Sequence, residues 1–353
     1  MKRFTCSNCK NRLHFESASC LNCGHPVGFD IEAMAMAALK ENGAGVGLYR
    51  KVNLSGAQVR LCDNAMHGAC TWLVPETSAS RLCRACSLNR TIPNLSEPES
   101  LEKWQALERA KKRVIYSLAR FGLPFDGSEQ DVSPLTFDFL PKVLTGHHDG
   151  VITIDLAEAD AVEQERRRIL FDEQYRTLLG HLRHEIGHYY WMLLIDGTAE
   201  LETFRALFGD ERQDYKAAIE AHHANGPAPD WISRFVSAYA SCHPWEDWAE
   251  TFAHYLHMAD AVETAEAEGM EPRAAGLLFG ASWPFKSYDV YRDETFDALM
   301  ERWIPLTLAV NNLSRSMGHR DFYPFVISPP AREKLGFVHR AVRGRPGNKS
   351  GRR

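Results

Sequence analysis

One pentapeptide in the chain has spacing suited to hydrolytic chemistry: His184-Glu185-Ile186-Gly187-His188. On a helix of 3.6 residues per turn, His184 and His188 stack on one face, where two imidazoles can share a zinc ion. Glu185 falls one position round, beside the ion rather than on it, and is placed to take a proton from water. Gly187 withholds a side chain from the adjoining turn, so another segment can approach closely. The surrounding stretch, Thr177–Ile195, is apolar and reads as one helix. Buried histidines and a buried glutamate are costly there without a partner.

A catalytic zinc takes three protein ligands and keeps one position open. The third ligand cannot come from the metzincin pattern HExxHxxGxxH, because Trp191 and Leu194 stand where its Gly and His would be. A glutamate on a second helix is the alternative. The candidate segment is 241–257, where Pro244 followed by acids marks a helix start. One face of that helix carries Glu246, Glu250, His254 and His257, flanked by Trp245, Trp248, Phe252 and Tyr255, a density of aromatics that predicts burial.

Eight of the nine cysteines lie in the first 86 residues. Cys6-x2-Cys9 and Cys20-x2-Cys23 have the spacing of a four-cysteine zinc ribbon. Cys62, Cys70, Cys83 and Cys86 form a second, less regular set, with His67 as a possible substitute ligand. No βαβ pattern surrounds these pairs, which sets aside a thioredoxin-like redox reading. Four thiolates close the coordination shell, so both sites are expected to be structural. Residues 1–90 hold eleven Lys/Arg against six Asp/Glu. Two tetrathiolate centres would nearly cancel that excess, and nucleic-acid binding by this module is kept as the alternative function.

The elements that must position these groups fall into three stretches. The cysteine region is taken as residues 1–95, ending in the Pro- and Ser-rich run 91–100. Ser96 and Glu99 stand at capping-box spacing before an amphipathic stretch, Leu101–Phe121. Two β-like runs follow, Leu135–Leu140 and Val151–Leu156, and beyond Ala161 almost everything reads helical. The expected breaks are at Gly197, at Asn225–Pro229 and at Ser282–Pro284. The second domain is taken as 96–339, and the basic stretch 340–353 as a disordered tail. The fold class expected is α+β, mostly helical, behind a small cysteine-rich domain.

Length, at 353 residues, fits two domains; 44% hydrophobic and 25% charged residues with a net charge of −5 describe an ordinary globular chain. No apolar run approaches the ~20 residues of a membrane span. The N-terminus lacks the apolar core of a secretory signal, so a reducing, cytoplasmic compartment is expected.

HEIGH followed by PWEDWAETFAHYLH, behind CSNC…CLNC and LCRACSLNRTIPNLS, resembles the bacterial family of zinc-binding metallopeptidases with an N-terminal zinc ribbon. The resemblance covers nearly the whole chain. It implies a zincin fold of the gluzincin type and a peptide or protein substrate. It also implies one catalytic zinc on His184, His188 and a glutamate, with two structural zinc ions on the cysteines. Some gluzincins take the first glutamate of E-x-x-A-E as ligand, here Glu246, with Glu250 then partnering a zinc-bound histidine. Glu185 would be the general base. Tyr239 resembles tyrosines that stabilise the oxyanion, and Val151–Leu156 would be the sheet-edge strand that pairs with substrate. The chain departs from the thermolysin pattern: residues 189–245 separate His188 from Glu246, and no NExxSD is present. His222 and His223 are expected to complement a helix C-terminus, and Cys242 to be a small packing residue.

Overall fold

The computed structural model describes residues 1–43, 47–127, 133–170, 177–270, 288–292 and 295–344. By contacts the chain forms two compact units, one of residues 2–119 and 124–164, the other of Met1, 120–123 and 165–353.

In the first unit, β1 (Phe4–Thr5) and β2 (Arg12–Leu13) pair as a short hairpin. An antiparallel meander follows: β3 (Val27–Asp30), β4 (Ala35–Glu41), β5 (Tyr49–Val52), β6 (Val59–Leu61) and β7 (Leu73–Pro75). Then come β8 (Asn89–Thr91), α1 (Ser100–Phe121), β9 (Thr136–Leu140), β10 (Gly146–His148) and β11 (Val151–Asp155). The last sheet runs β10-β11-β9-β8. Parallel pairing of β8 with β9 draws this sheet into the cysteine-rich unit. α1 adds Tyr116 to an aromatic core, its ring 5.6 Å from Phe15, which lies 4.9 Å from Phe29, itself 4.9 Å from Trp72. Ring packing of this kind adds an aromatic core to the apolar cluster that the strands build from Ala37, Leu39, Val59 and Leu73.

Two local expectations are corrected here. α1 starts at Ser100 rather than at a capping box on Ser96, because Glu99 sits in the left-handed region at φ 61°. Val151–Asp155 is not a sheet edge: β9 lies parallel on one side and β10 antiparallel on the other. The turn between β10 and β11 needs left-handed backbone at Asp149 and Gly150 (φ 46° and 82°), and it folds Gly146–His148 back to cover the edge.

The second unit takes up the chain from within α2 (Ala161–Leu170). It continues with α3 (Leu178–Leu194), α4 (Leu201–Phe208), α5 (Tyr215–Asn225), α6 (Trp231–Arg234), α7 (Pro244–Glu268), α8 (Phe296–Ser316) and α9 (Pro329–Arg343). α7 is the hub, packing against α3, α4, α8 and α9. Its start is set by Pro244 at the first helical position and by the His243 side chain, which accepts from the Trp245 amide; Gly269, left-handed at φ 68°, ends it. Thr177 caps α3, its hydroxyl accepting from the Gly180 amide at 3.0 Å. Gly197 and Gly226 take positive φ at the expected breaks. Ser282–Pro284 lies outside the described residues.

Between α3 and α7 the backbones nearly touch. A Cβ added at Gly187 would stand 3.0 Å from the Ala249 Cα and 3.2 Å from its carbonyl oxygen. The Gly187 carbonyl in turn accepts from the Trp248 indole at 2.9 Å, and Tyr190 stacks on Phe252 at 5.4 Å. A buried ion pair, Lys334 to Asp247 at 2.5 Å, ties α9 to the first turn of α7. One part of the expected tail is corrected: Arg340–Arg343 are the last residues of α9, and 345–353 lie outside the described residues. No helix among the described residues is long and apolar enough to cross a membrane.

Candidate metal centre

His184 and His188 rise one turn apart on α3, their rings 5.0 Å apart. The close approach at Gly187 brings the first turn of α7 against them. The Glu246 Oε2 atom lies 2.9 Å from His184 Nε2 and 3.5 Å from His188 Nε2. Tetrahedral zinc ligands at 2.0–2.1 Å are about 3.3 Å from one another, so the spacing fits an ion at their common focus. Glu246 is 1% exposed, and its Oε2 makes no hydrogen bond. A buried carboxylate oxygen that makes no hydrogen bond and faces two imidazole nitrogens is a place for a cation.

The surroundings aim these atoms. His184 Nδ1 meets Glu250 Oε1 at 2.7 Å, which leaves Nε2 for an ion, and the Ser237 hydroxyl donates to Glu250 Oε2 at 2.5 Å. The Tyr215 hydroxyl donates to the other oxygen of Glu246, Oε1, at 2.7 Å. Burial disfavours charge on His184, but Glu246 and Glu250 outweigh it and raise its pKa well above the ordinary histidine value. Burial likewise pushes the two carboxyls up, yet His188 and His184 hold Glu246 well below the carboxylate range, and His184 brings Glu250 down to about 2. The site demands positive charge, and a divalent ion supplies it without protonating a ligand.

Glu185 stands beside this trio with 5% exposure, and His181, one turn earlier, places Nε2 3.3 Å from its Oε1. Burial raises the Glu185 pKa, but contact with His181 and the nearby histidines outweighs it and holds the group below the ordinary glutamate value, as a carboxylate. Tyr239, in a single 3-10 turn before α7, packs its ring 5.9 Å from His184. Burial keeps its hydroxyl protonated, as a donor. His222, in the last turn of α5, sits 5.7 Å from the Tyr239 ring. His254 and His257 turn elsewhere, to the Tyr323 hydroxyl at 2.6 Å and to Arg183 at 2.5 Å. Cys242 is a half-buried thiol kept protonated by burial and by Glu246.

Sequence reasoning missed three residues here. His181 had a signal, the i, i+4 spacing to Glu185. Ser237 and Tyr215 had none, because each reaches its carboxylate from another part of the chain.

The cysteines gather into two tetrads, Cys6/Cys9/Cys20/Cys23 and Cys62/Cys70/Cys83/Cys86, in each of which the sulfurs lie within 4.8 Å of one another. Neighbouring sulfurs are 3.6–3.7 Å apart, close to the edge of a tetrahedron with Zn–S near 2.3 Å, about 3.8 Å. The first tetrad is built from two matching turns: Lys10 and Gly24, each following a CxxC, are left-handed (φ 64° and 73°) and return their amides to the carbonyls of Cys6 and Cys20. The second is wholly buried. Beside it the buried Lys112 ammonium donates to the Ala69 carbonyl at 2.9 Å and pairs with Glu108. His67 is outside that group, its ring 6.0 Å from Trp104.

Uncharacterized protein Rv2568c of Mycobacterium tuberculosis (strain ATCC 25618 / H37Rv) is similar to this chain at 41% identity over 348 residues, 97% of this chain and 95% of the relative. Uncharacterized protein Mb2598c of Mycobacterium bovis matches with the same identity and coverage. No solved structure matches the chain at a significant level. Residues 3–97 match a zinc-ribbon domain model, residues 100–341 match the family described as "Putative zinc-binding metallo-peptidase", and the chain belongs to that metallo-peptidase family.

Proposed function

We propose that this chain is a gluzincin-type peptidase that hydrolyses peptide bonds at a zinc ion held by His184, His188 and Glu246. The observation that carries the reading is the buried Glu246 Oε2, which makes no hydrogen bond and faces the imidazole nitrogens of His184 and His188 at 2.9 and 3.5 Å. Three such ligands leave a fourth position for water or substrate. When bound, zinc lowers the pKa of its water to about 7 and polarises a carbonyl. Glu185, fixed by His181, accepts the water proton and later delivers it to the leaving amine. Tyr239 offers its hydroxyl to the oxyanion. Glu250 and Ser237 hold the His184 ring in orientation throughout. The two cysteine tetrads carry structural zinc, for a total of three ions, and reduced thiol ligands suit a cytoplasmic setting.

The test compares the full-length protein with Glu185→Gln on a broad peptide library, both loaded with zinc. The wild type is expected to cleave, and the variant to lose roughly 10²–10⁴-fold in rate with an unchanged metal content. A wild type that cleaves nothing, or a variant that cleaves equally well, ends the peptidase reading.

A further inference from the structure

The carboxylate of Glu246 has two oxygens in different circumstances. Oε2 faces the imidazoles, whereas Oε1 accepts from the Tyr215 hydroxyl. A carboxylate can ligate zinc through one oxygen or both, and a second oxygen would raise the coordination number and crowd the position that hydrolysis needs for water or substrate. We infer that Tyr215 is a positioning residue that ties up Oε1, so that Glu246 binds the ion through one oxygen only. This inference rests on the metal reading above.

The phenol is held from several sides. Asp214 caps α5, its carboxylate accepting from the Ala217 amide at 3.0 Å. One residue earlier, the Gln213 carbonyl is 3.2 Å from His243 Nε2, and His243 is the N-cap of α7. The Tyr215 ring lies 5.2 Å from the His243 ring and 6.1 Å from Trp245. His243 and Trp245, both within three residues of Glu246 on its N-terminal side, therefore locate the tyrosine as well. No residue of α5 is buried, and Tyr215 itself is 42% exposed. Its ring is no part of the core, so hydrophobic packing does not account for the placement of its hydroxyl.

Tyr215→Phe removes one hydrogen bond and keeps the ring. In the full-length protein loaded with zinc, a chromophoric chelator should draw the helix-held ion from the variant with a dissociation constant raised about 10–100-fold. The two cysteine-held ions should be unaffected. When that ion is stripped and replaced by Co2+, the visible absorption of the variant should fall, as the freed Oε1 adds a fifth ligand. The thermal midpoint of protein stripped of that ion should match the wild type, which a merely structural role would not allow. An unchanged dissociation constant together with an unchanged cobalt spectrum overturns the inference. Glu246→Gln separates the two failures. If it too leaves the ion's affinity unaltered, the metal reading itself is wrong and the role of Tyr215 falls with it.

Discussion

The cysteine tetrads and the histidine–glutamate trio both gather metal-ligating atoms, but they reach that state by different routes. In the first tetrad, two ligands come from each of two short turns, and the left-handed residues Lys10 and Gly24 close those turns with backbone hydrogen bonds. In the trio, two ligands come from α3 and the third from α7, with residues 189–245 between them in the chain. Four thiolates satisfy an ion completely, so such a site holds structure. Two imidazoles and a carboxylate leave a corner, and the helices carrying them are already held by aromatic packing around Trp248 and Tyr190. On the proposed reading the tetrads would need their ions in order to fold, while the trio would sit on a frame that stands without one.

Chelation tests that contrast and has the largest expected effect. In zinc-finger peptides, binding supplies on the order of 10–16 kcal/mol to folding. A mild chelator should remove one ion with no change in helical circular dichroism, and added zinc should restore it. A strong chelator under reducing conditions should take two more and expose residues 2–119 to limited proteolysis. If all three ions leave together, or if loss of the first already melts the helices, the two sites are not the distinct kinds described.

A smaller effect tests the frame of the trio. Gly187→Val places side-chain atoms where the Ala249 backbone already stands, 3.0 Å from the position of a Cβ. Backbone cannot rotate away as a side chain can, so the helices must part. Overpacking of this kind costs about 1–3 kcal/mol, to be read from the denaturant midpoint of protein stripped of the helix-held ion. Affinity for that ion should fall too, since Glu246 moves with α7. A midpoint equal to the wild type would mean that the contact at Gly187 does not set the distance between α3 and α7.

Most of what builds the trio was legible in the sequence because it is local. The apolar helix from Thr177 to Ile195, the HExxH turn, the close approach allowed by Gly187 and the start of α7 at Pro244 each declare themselves within a few residues. The i, i+4 relation of Glu246 to Glu250 likewise predicted two carboxylates on one face, and the structure has both against His184. What escaped depends on partners distant in the chain. Gly146–His148 is too short and too polar to read as a strand, yet it covers the edge that Val151–Asp155 was expected to leave open. Tyr215 and Ser237 look like ordinary surface residues until the fold brings them to Glu246 and Glu250. Arg340–Arg343 read as tail because composition carries no register, while α9 holds them through the packing of its earlier turns.

The smallest expected effect concerns which side chain completes the second tetrad. Spacing alone left His67 open as a substitute for one of its cysteines. In the structure Cys62, Cys70, Cys83 and Cys86 meet without it, while the His67 carbonyl accepts from the Gln105 side chain at 2.6 Å and its ring rests near Trp104. The positive charge beside the four thiols comes instead from Lys112, buried and bound to the Ala69 carbonyl one residue before Cys70. His67→Ala should accordingly leave zinc content and chelator resistance at the wild-type level, with a stability loss within about 0.5 kcal/mol, as for a surface change away from special contacts. Cys83→Ala, by contrast, opens the shell and should release that ion to a mild chelator. A His67→Ala protein that loses one zinc ion would mean that histidine, not sulfur alone, closes this site, and the sharp division between sealed tetrads and an open trio would have to be redrawn.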